Sequence, residues 1–379
     1  MLEEYKRDIY LCSKCEDPRF GAFEASGRPI CPTGEKFLFE SYSVTGRMAN
    51  AKALMEGDLE WSERLIDRYF TCLRCGACSE NCYKETGGNL LKVIEEVEKE
   101  LVRRGIGPHF KQRYENYENF FKNYKERQEE EIKKMSESVA LYFLGCNLSC
   151  YNKDIIEATL KILESTGEKF TTSPRTWCCG YPLIYTGQVE QAMDIVTSNI
   201  AAIERLGIEK IISNCPHCTR IFKHDYPKIL GIEFGFKVLH TSEYLSEMIK
   251  NGALKPKIPV MEKVTYHDPC LLGRQGGKVY DQPREILRSI PGINLVEMDR
   301  RMGNAWCCGA GAMVKVAYPD FALWTATNRI EEAESKGVCI IVSACPECKN
   351  ILMEAANIKG KVLRILDVNE LLAKSLGLI

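Results

Sequence analysis

Five cysteines recur twice, in one order, over the last two thirds of this 379-residue chain. In the first copy Cys146 is followed by 31 residues, the doublet Cys178-Cys179, 35 more residues, and then Cys215 and Cys218 flanking "PH". In the second copy Cys270 is followed by 36 residues, Cys307-Cys308, another 36, and then Cys345 and Cys348 flanking "PE". Corresponding positions lie 124, 129 and 130 residues apart, and both doublets read "WCCG". Repetition at this period implies a duplicated structural unit with one five-thiol site per copy. Neighbouring cysteines point their side chains apart, so a doublet suits one tetrahedral zinc poorly. It suits a larger cluster whose different irons need separate ligands, and five thiols exceed what one cubane takes.

The texture around these cysteines gives the fold class. Short apolar runs ("VALYFLG", "KIIS", "KVTYHD", "CIIVSA") read as buried strands. Between them lie amphipathic segments, "KDIIEATLKILESTG", "QAMDIVTSNIAAIERLG" and "FALWTATNRIEEAESKG", each ending in the glycine that commonly stops a helix. Alternation of this kind predicts α/β units, a parallel sheet with helices on both faces. The stretch "NGALKPKIP" breaks both patterns and marks a joint, so the halves run 138–255 and 256–379. Ligand cysteines at the ends of parallel strands converge in the crevice where such folds bind ligands, and Pro216, Pro269 and Pro346 stiffen those turns.

Before the repeats the chain is organised differently. Residues 1–90 hold seven cysteines and few strand signals, which predicts a separate, helical, metal-bearing domain. Residues 91–137 read as a helical linker: Val93, Val97 and Leu101 recur at helical spacing, and the charged "KNYKERQEEEIKKMSES" that follows reads as a solvated helix or linker. In "CLRCGACSENC" the spacing of Cys72, Cys75, Cys78 and Cys82 wraps a tight loop around a 4Fe–4S cubane. Zinc prefers two well-separated ligand pairs. Upstream stand Cys12 and Cys15, then Cys31 before Pro32. In two-cluster ferredoxins the cysteine before proline ligates the other cube, which assigns Cys72, Cys75, Cys78 and Cys31 to one cluster. Cys12, Cys15 and Cys82 are left for a second, one thiolate short. A ligand from elsewhere, a three-iron cluster, or a single cubane would each resolve that shortfall.

Composition fixes the setting. Nineteen cysteines is an odd number, and no charged start leads into an apolar export signal, so thiolates in a reducing, cytoplasmic compartment are expected rather than disulfides. No apolar run reaches the length of a membrane span, and a net charge of −1 argues against nucleic acid as a partner.

The doubled C-x31–36-CC-x35–36-C-x2-C pattern, with Gly180 and Gly309 after the doublets, resembles the cysteine-rich CCG domains of heterodisulfide reductase. The whole chain is similar to the fused catalytic subunit of that family, a two-cluster ferredoxin-like domain followed by two Rossmann-like CCG domains. "SYSVTGRMANAKALMEGD" resembles the wider group that includes iron–sulfur subunits of glycolate and lactate oxidases. The resemblance implies a non-cubane 4Fe–4S cluster on Cys146, Cys178, Cys179, Cys215 and Cys218, and a second on Cys270, Cys307, Cys308, Cys345 and Cys348. It implies disulfide reduction between them, with a heterodisulfide of coenzyme M and coenzyme B as the type of substrate. Partners would be other redox subunits: a flavoprotein, a dehydrogenase or a membrane cytochrome. Two further readings stand beside it, an electron-transfer subunit without disulfide chemistry and a zinc-stapled scaffold.

His217, inside "CPHC", and His267, in "YHDPC", adjoin ligand cysteines. Each is a candidate to supply a proton to a departing thiolate, or to donate a hydrogen bond to cluster sulfur. His109, His224 and His240 lack such neighbours. Arg220, Arg274 and Lys278 read as solvated surface, Cys339 as a small buried hydrophobe, and Cys150 as outside the ligand set. "GAGAMV" lacks the third glycine of a dinucleotide loop, so no flavin or nicotinamide is expected on this chain.

Overall fold

The computed structural model describes residues 2–13, 15, 27–84, 89–108, 124–135 and 138–379. Each repeat forms a four-stranded parallel sheet. The first contains β1 (Ala140–Tyr142), β2 (Thr171–Thr172), β3 (Lys210–Ser213) and β4 (Lys237–His240) in the order β2-β1-β3-β4. The second contains β5 (Lys263–His267), β6 (Asn294–Leu295), β7 (Ile340–Ser343) and β8 (Arg364–Asp367) in the order β6-β5-β7-β8. The inner strands β1, β3, β5 and β7 are the four apolar runs visible in the sequence. Leu141 lies opposite Ile211 and Thr265 opposite Ile341, which sets the register. The edge strands β2 and β6 carry no such signal, because two-residue edges such as Thr171–Thr172 need no apolar run.

Strand order reverses between β1 and β3, and between β5 and β7. At such a switch point the crossovers depart to opposite sides and leave a crevice at the strand C-terminal ends. The chain leaving β1 reaches Cys146 and that leaving β3 reaches Cys215; β5 and β7 deliver Cys270 and Cys345 in the same way. The amphipathic segments form the helices Lys153–Ser165, Val189–Arg205 and Pro319–Ser335 that cover the sheets.

The two repeats share a core. Tyr142, Leu144 and Ile212 of the first pack in one apolar cluster with Val264, Tyr266 and Val342 of the second. The N-terminal region has its own cluster, in which Met48, Ala51 and Leu54 of the helix Val44–Glu56 meet Val93, Val97 and Leu101 of the helix Leu90–Arg103. Leu73 leaves that region and packs with Cys307, Val314 and Phe321 of the second repeat. Among the described residues no helix is long and apolar enough to cross a membrane.

One segment differs from its sequence reading. The charged stretch after residue 122 reads as solvated, yet Tyr124, Gln128 and Ile132 of the helix Tyr124–Ile132 are buried against the first repeat. Their spacing is the i, i+4, i+8 stripe of a narrow helical face, too thin to stand out among so many charges.

Candidate functional site

The thiols of each repeat form a continuous chain of contacts, and the order is the same in both. In the first, Cys146 and Cys178 Sγ are 3.7 Å apart, Cys178 meets Cys179, Cys179 meets Cys218, and Cys218 meets Cys215. In the second, Cys270 meets Cys307, Cys307 meets Cys308, Cys308 and Cys348 Sγ are 3.3 Å apart, and Cys348 meets Cys345. The fold thus brings together each of the ten thiols that the spacing singled out. Main-chain N–H groups already point at them: Gly180 N donates to Cys178 Sγ at 3.4 Å and Cys348 N to Cys345 Sγ at 3.4 Å.

The electrostatics fit an iron–sulfur group. Hydrogen bonding to neighbouring thiols, and after it burial, pushes Cys146, Cys218, Cys307 and Cys348 well above the ordinary thiol pKa. The same contacts lower Cys179, Cys215, Cys308 and Cys345, so the thiols of each set compete for protons, and all five could be thiolates together only with positive charge among them, as cluster irons would supply.

Glycine after each doublet has a steric cause that differs between copies. Gly309 has φ +100°, and a Cβ there would lie 2.3 Å from the Ala322 carbonyl oxygen. Gly180 has φ +78°, and a Cβ would meet nothing nearer than 3.7 Å. Gly309→Ala is therefore expected to cost about 2 to 4 kcal/mol, and Gly180→Ala about 1 to 2 kcal/mol from backbone strain alone. Denaturant unfolding of the two variants measures this, and equal losses would refute the packing account.

A half-buried histidine connects the two sets. His217 Nδ1 is 3.7 Å from Cys215 Sγ of the first repeat, and the same ring contacts Cys345 of the second. Tyr181 packs edge-on against it with centroids 4.3 Å apart and accepts a hydrogen bond from Ala312 N at 3.0 Å. Burial opposes a charge on His217, but Tyr181 and the two thiols outweigh it and hold the pKa well above the ordinary histidine value. Beside this ring lies a cavity of about 500 Å³ lined by Cys146, Cys179, Cys215 and Cys218, with Met313, Lys315 and Glu347 on the second repeat's side. Burial pushes Glu347 above the ordinary carboxyl range. Ala312 and Met313, in "GAGAMV", take left-handed backbone at φ +49° and +61°, a strain found where a wall is shaped for a ligand.

The N-terminal cysteines line two cavities. Cys31, Cys72, Cys75 and Cys78 surround one, with Arg47 and Thr33 in its wall. Cys12, Cys15 and Cys82 line the other, together with Cys78, Ser13 and Asn81. Nothing in the sequence around Arg47 signals its place there. It is buried, donating from Nε to Arg68 O at 2.6 Å and from Nη1 to Thr33 Oγ1 at 3.3 Å.

The loop carrying Cys75 docks on the second repeat. Cys75 contacts Cys307 directly. Arg274, expected as solvated surface, is half-buried and engaged instead: its Nε donates to Cys75 O at 2.7 Å and its Nη1 to Ala305 O at 2.7 Å. Arg220 is likewise engaged, by Gln275 Oε1 at 2.8 Å, whereas Lys278 is exposed as expected. Cys339 is exposed, not buried, because it precedes β7 and contributes only its carbonyl to the ladder, accepting from Arg364 N. Cys150 is exposed and outside the thiol chain. Tyr124, missed in the sequence, donates its hydroxyl to Cys178 O and accepts from Cys178 N at 2.9 Å, which clasps the first doublet.

Comparison with known proteins agrees with this geometry. The cysteine-rich CCG domain family matches residues 140–223 and 264–353. The chain is 35% identical to the D subunit of the dihydromethanophenazine:CoB–CoM heterodisulfide reductase of Methanosarcina mazei, over 90% of this chain and 86% of that one. It is 33% identical to the protein of the same name from Methanosarcina barkeri, over 98% and 95% of the two chains. A crystal structure of a hypothetical protein from Helicobacter pylori, 12% identical, shares the fold with a TM-score of 0.51 over 79% of this chain and 60% of its own.

Proposed function

The chain belongs to the family of heterodisulfide reductase D subunits, and on that premise we propose that it is the disulfide-reducing subunit of a larger redox complex. The observation that carries this reading is His217, one ring in contact with a thiol of each repeat. It makes the two five-thiol sets neighbours, as a disulfide cleaved between two centres requires.

The residues divide the work. Cys146, Cys178, Cys179, Cys215 and Cys218 would hold one non-cubane cluster; Cys270, Cys307, Cys308, Cys345 and Cys348 would hold the other. Cys31, Cys72, Cys75 and Cys78 would hold a cubane, with Cys12, Cys15 and Cys82 available for a second. When bound, such clusters supply single electrons to the two sulfurs of a disulfide. The cavity beside His217 would seat a small disulfide against the first repeat, with Lys315 and Glu347 facing it from the second. Reduction takes two electrons and two protons and yields two thiols. His217, half-buried between the sets, would hold one proton where a leaving thiolate forms, and the open cavity admits water for the second. Arg274 fixes the Cys75 carbonyl beside the second repeat and Cys75 touches Cys307, so a cluster held by Cys75 would lie against the second set and could supply it with electrons. Electron-donating partners are other redox subunits of the complex.

Metal analysis tests the reading first. Protein purified without oxygen is expected to contain about 12 to 16 irons per chain, with matching sulfide. About four irons together with stoichiometric zinc would overturn it in favour of a zinc-stapled scaffold.

A further inference from the structure

We propose that Arg329 fixes His267 as a permanent hydrogen-bond donor to the Cys308 sulfur, and so raises the reduction potential of the second repeat's centre. The inference rests on the reading that each repeat holds an iron–sulfur cluster. It begins from an asymmetry: three residues before Cys270 stands His267, and three before Cys146 stands Phe143. The thiol chains are alike, but the group behind them is an imidazole in one copy and a phenyl ring in the other. Phe143 packs edge-on with Phe222 at 4.9 Å and offers no polar atom.

His267 is the last residue of β5 and is buried. Arg329 Nε donates to its Nδ1 at 3.1 Å. A guanidinium does not deprotonate and has no acceptor, so this contact requires a lone pair on Nδ1 and puts the imidazole proton on Nε2. Nε2 is buried and has no hydrogen-bond partner within the protein. What the ring faces is sulfur: one imidazole nitrogen and the Sγ atoms of Cys308 and Cys348 lie within 4.8 Å of one another. With Nδ1 occupied by Arg329, Nε2 is the nitrogen left to serve a sulfur of that site.

Arg329 is itself held from behind. Its Nη1 donates to Arg300 O at 2.8 Å and to Glu332 Oε2 at 2.9 Å, and Arg329 and Glu332 are both fully buried. The helix Pro319–Ser335 carries both residues, so the ring is braced by secondary structure rather than by a loop. A buried, oriented N–H beside a ligand sulfur stabilises the reduced, more negative centre. His267 is thereby a positioning residue whose proton stays in place. Its effect falls on the centre that Cys75 touches through Cys307.

A redox titration followed by electron paramagnetic resonance tests this, reading the signal that disappears in Cys345→Ala. In His267→Phe, which copies the first repeat, the ratio of reduced to oxidised centre at fixed ambient potential is expected to fall at least about tenfold, which is 59 mV for a one-electron couple. His267→Gln keeps an acceptor for Arg329 and an N–H for sulfur and is expected to restore the ratio to within about threefold of the parent protein. Should His267→Phe fail to retain iron, Arg329→Leu removes the donor to Nδ1 while leaving the ring, and the same fall is expected. Unchanged potentials in iron-loaded His267→Phe or Arg329→Leu would overturn the inference and leave the proposed function standing. Absence of any signal from the two repeats in the parent protein would overturn both.

Discussion

Cys308→Ala is expected to abolish turnover of a coenzyme M–coenzyme B type heterodisulfide, by about 1,000-fold or more, while dye reduction of the N-terminal cubane persists. Cys308 is the middle link of its thiol chain, touching Cys307 on one side and Cys348 at 3.3 Å on the other. Removing that sulfur splits the set into separated pairs. Cys179→Ala breaks the corresponding link in the first repeat and is expected to be as damaging. Because cleavage uses both sets on one substrate, the double variant should be no worse than either single one; residues acting as a unit are strongly non-additive. Steady-state turnover with iron counts on each variant measures this. The opposing outcome is a parent protein, fully loaded and reduced, whose spectra do not change with any small disulfide; that result makes the chain an electron relay.

Cys75→Ala should slow reduction of the repeats by an external one-electron donor about 100-fold or more, and remove about four irons from the total. The repeats themselves should stay loaded. Arg274 bonds the carbonyl of residue 75, which alanine retains, so the docking of the loop survives the loss of the thiol. Stopped-flow reduction and iron analysis separate the two effects. Loss of the repeats' iron as well would mean that Cys75 assembles the second site instead of feeding it.

Much of this was legible in the sequence because cysteine spacing is a direct record of converging ligands. All ten repeat thiols and the inner strands that present them follow from spacing and apolar runs alone. What escaped depends on three-dimensional neighbours. Arg274 reads as surface because a single arginine in "LLGRQGGK" gives no hint of three main-chain acceptors brought from residues 75, 303 and 305. Tyr124 lies in a charge-dense stretch, and its bond to Cys178 spans 54 residues. Arg329 looks like one more charge on an amphipathic helix until its partner His267, 62 residues earlier, is placed beside it. Cys339 reads as core from its apolar flanks, but strand starts expose alternate side chains whatever their neighbours.

The core shared by the two sheets sets the behaviour of the cleft between them. Tyr142 and Ile212 on one side and Tyr266 and Val342 on the other are cemented into the same apolar mass, so the walls of the cleft are two faces of one solid block. A jaw that swings can grip substrates of many lengths; a fixed slot acts as a gauge. Its width is set by the packing of that shared core, which reaches the cavity wall at Leu144.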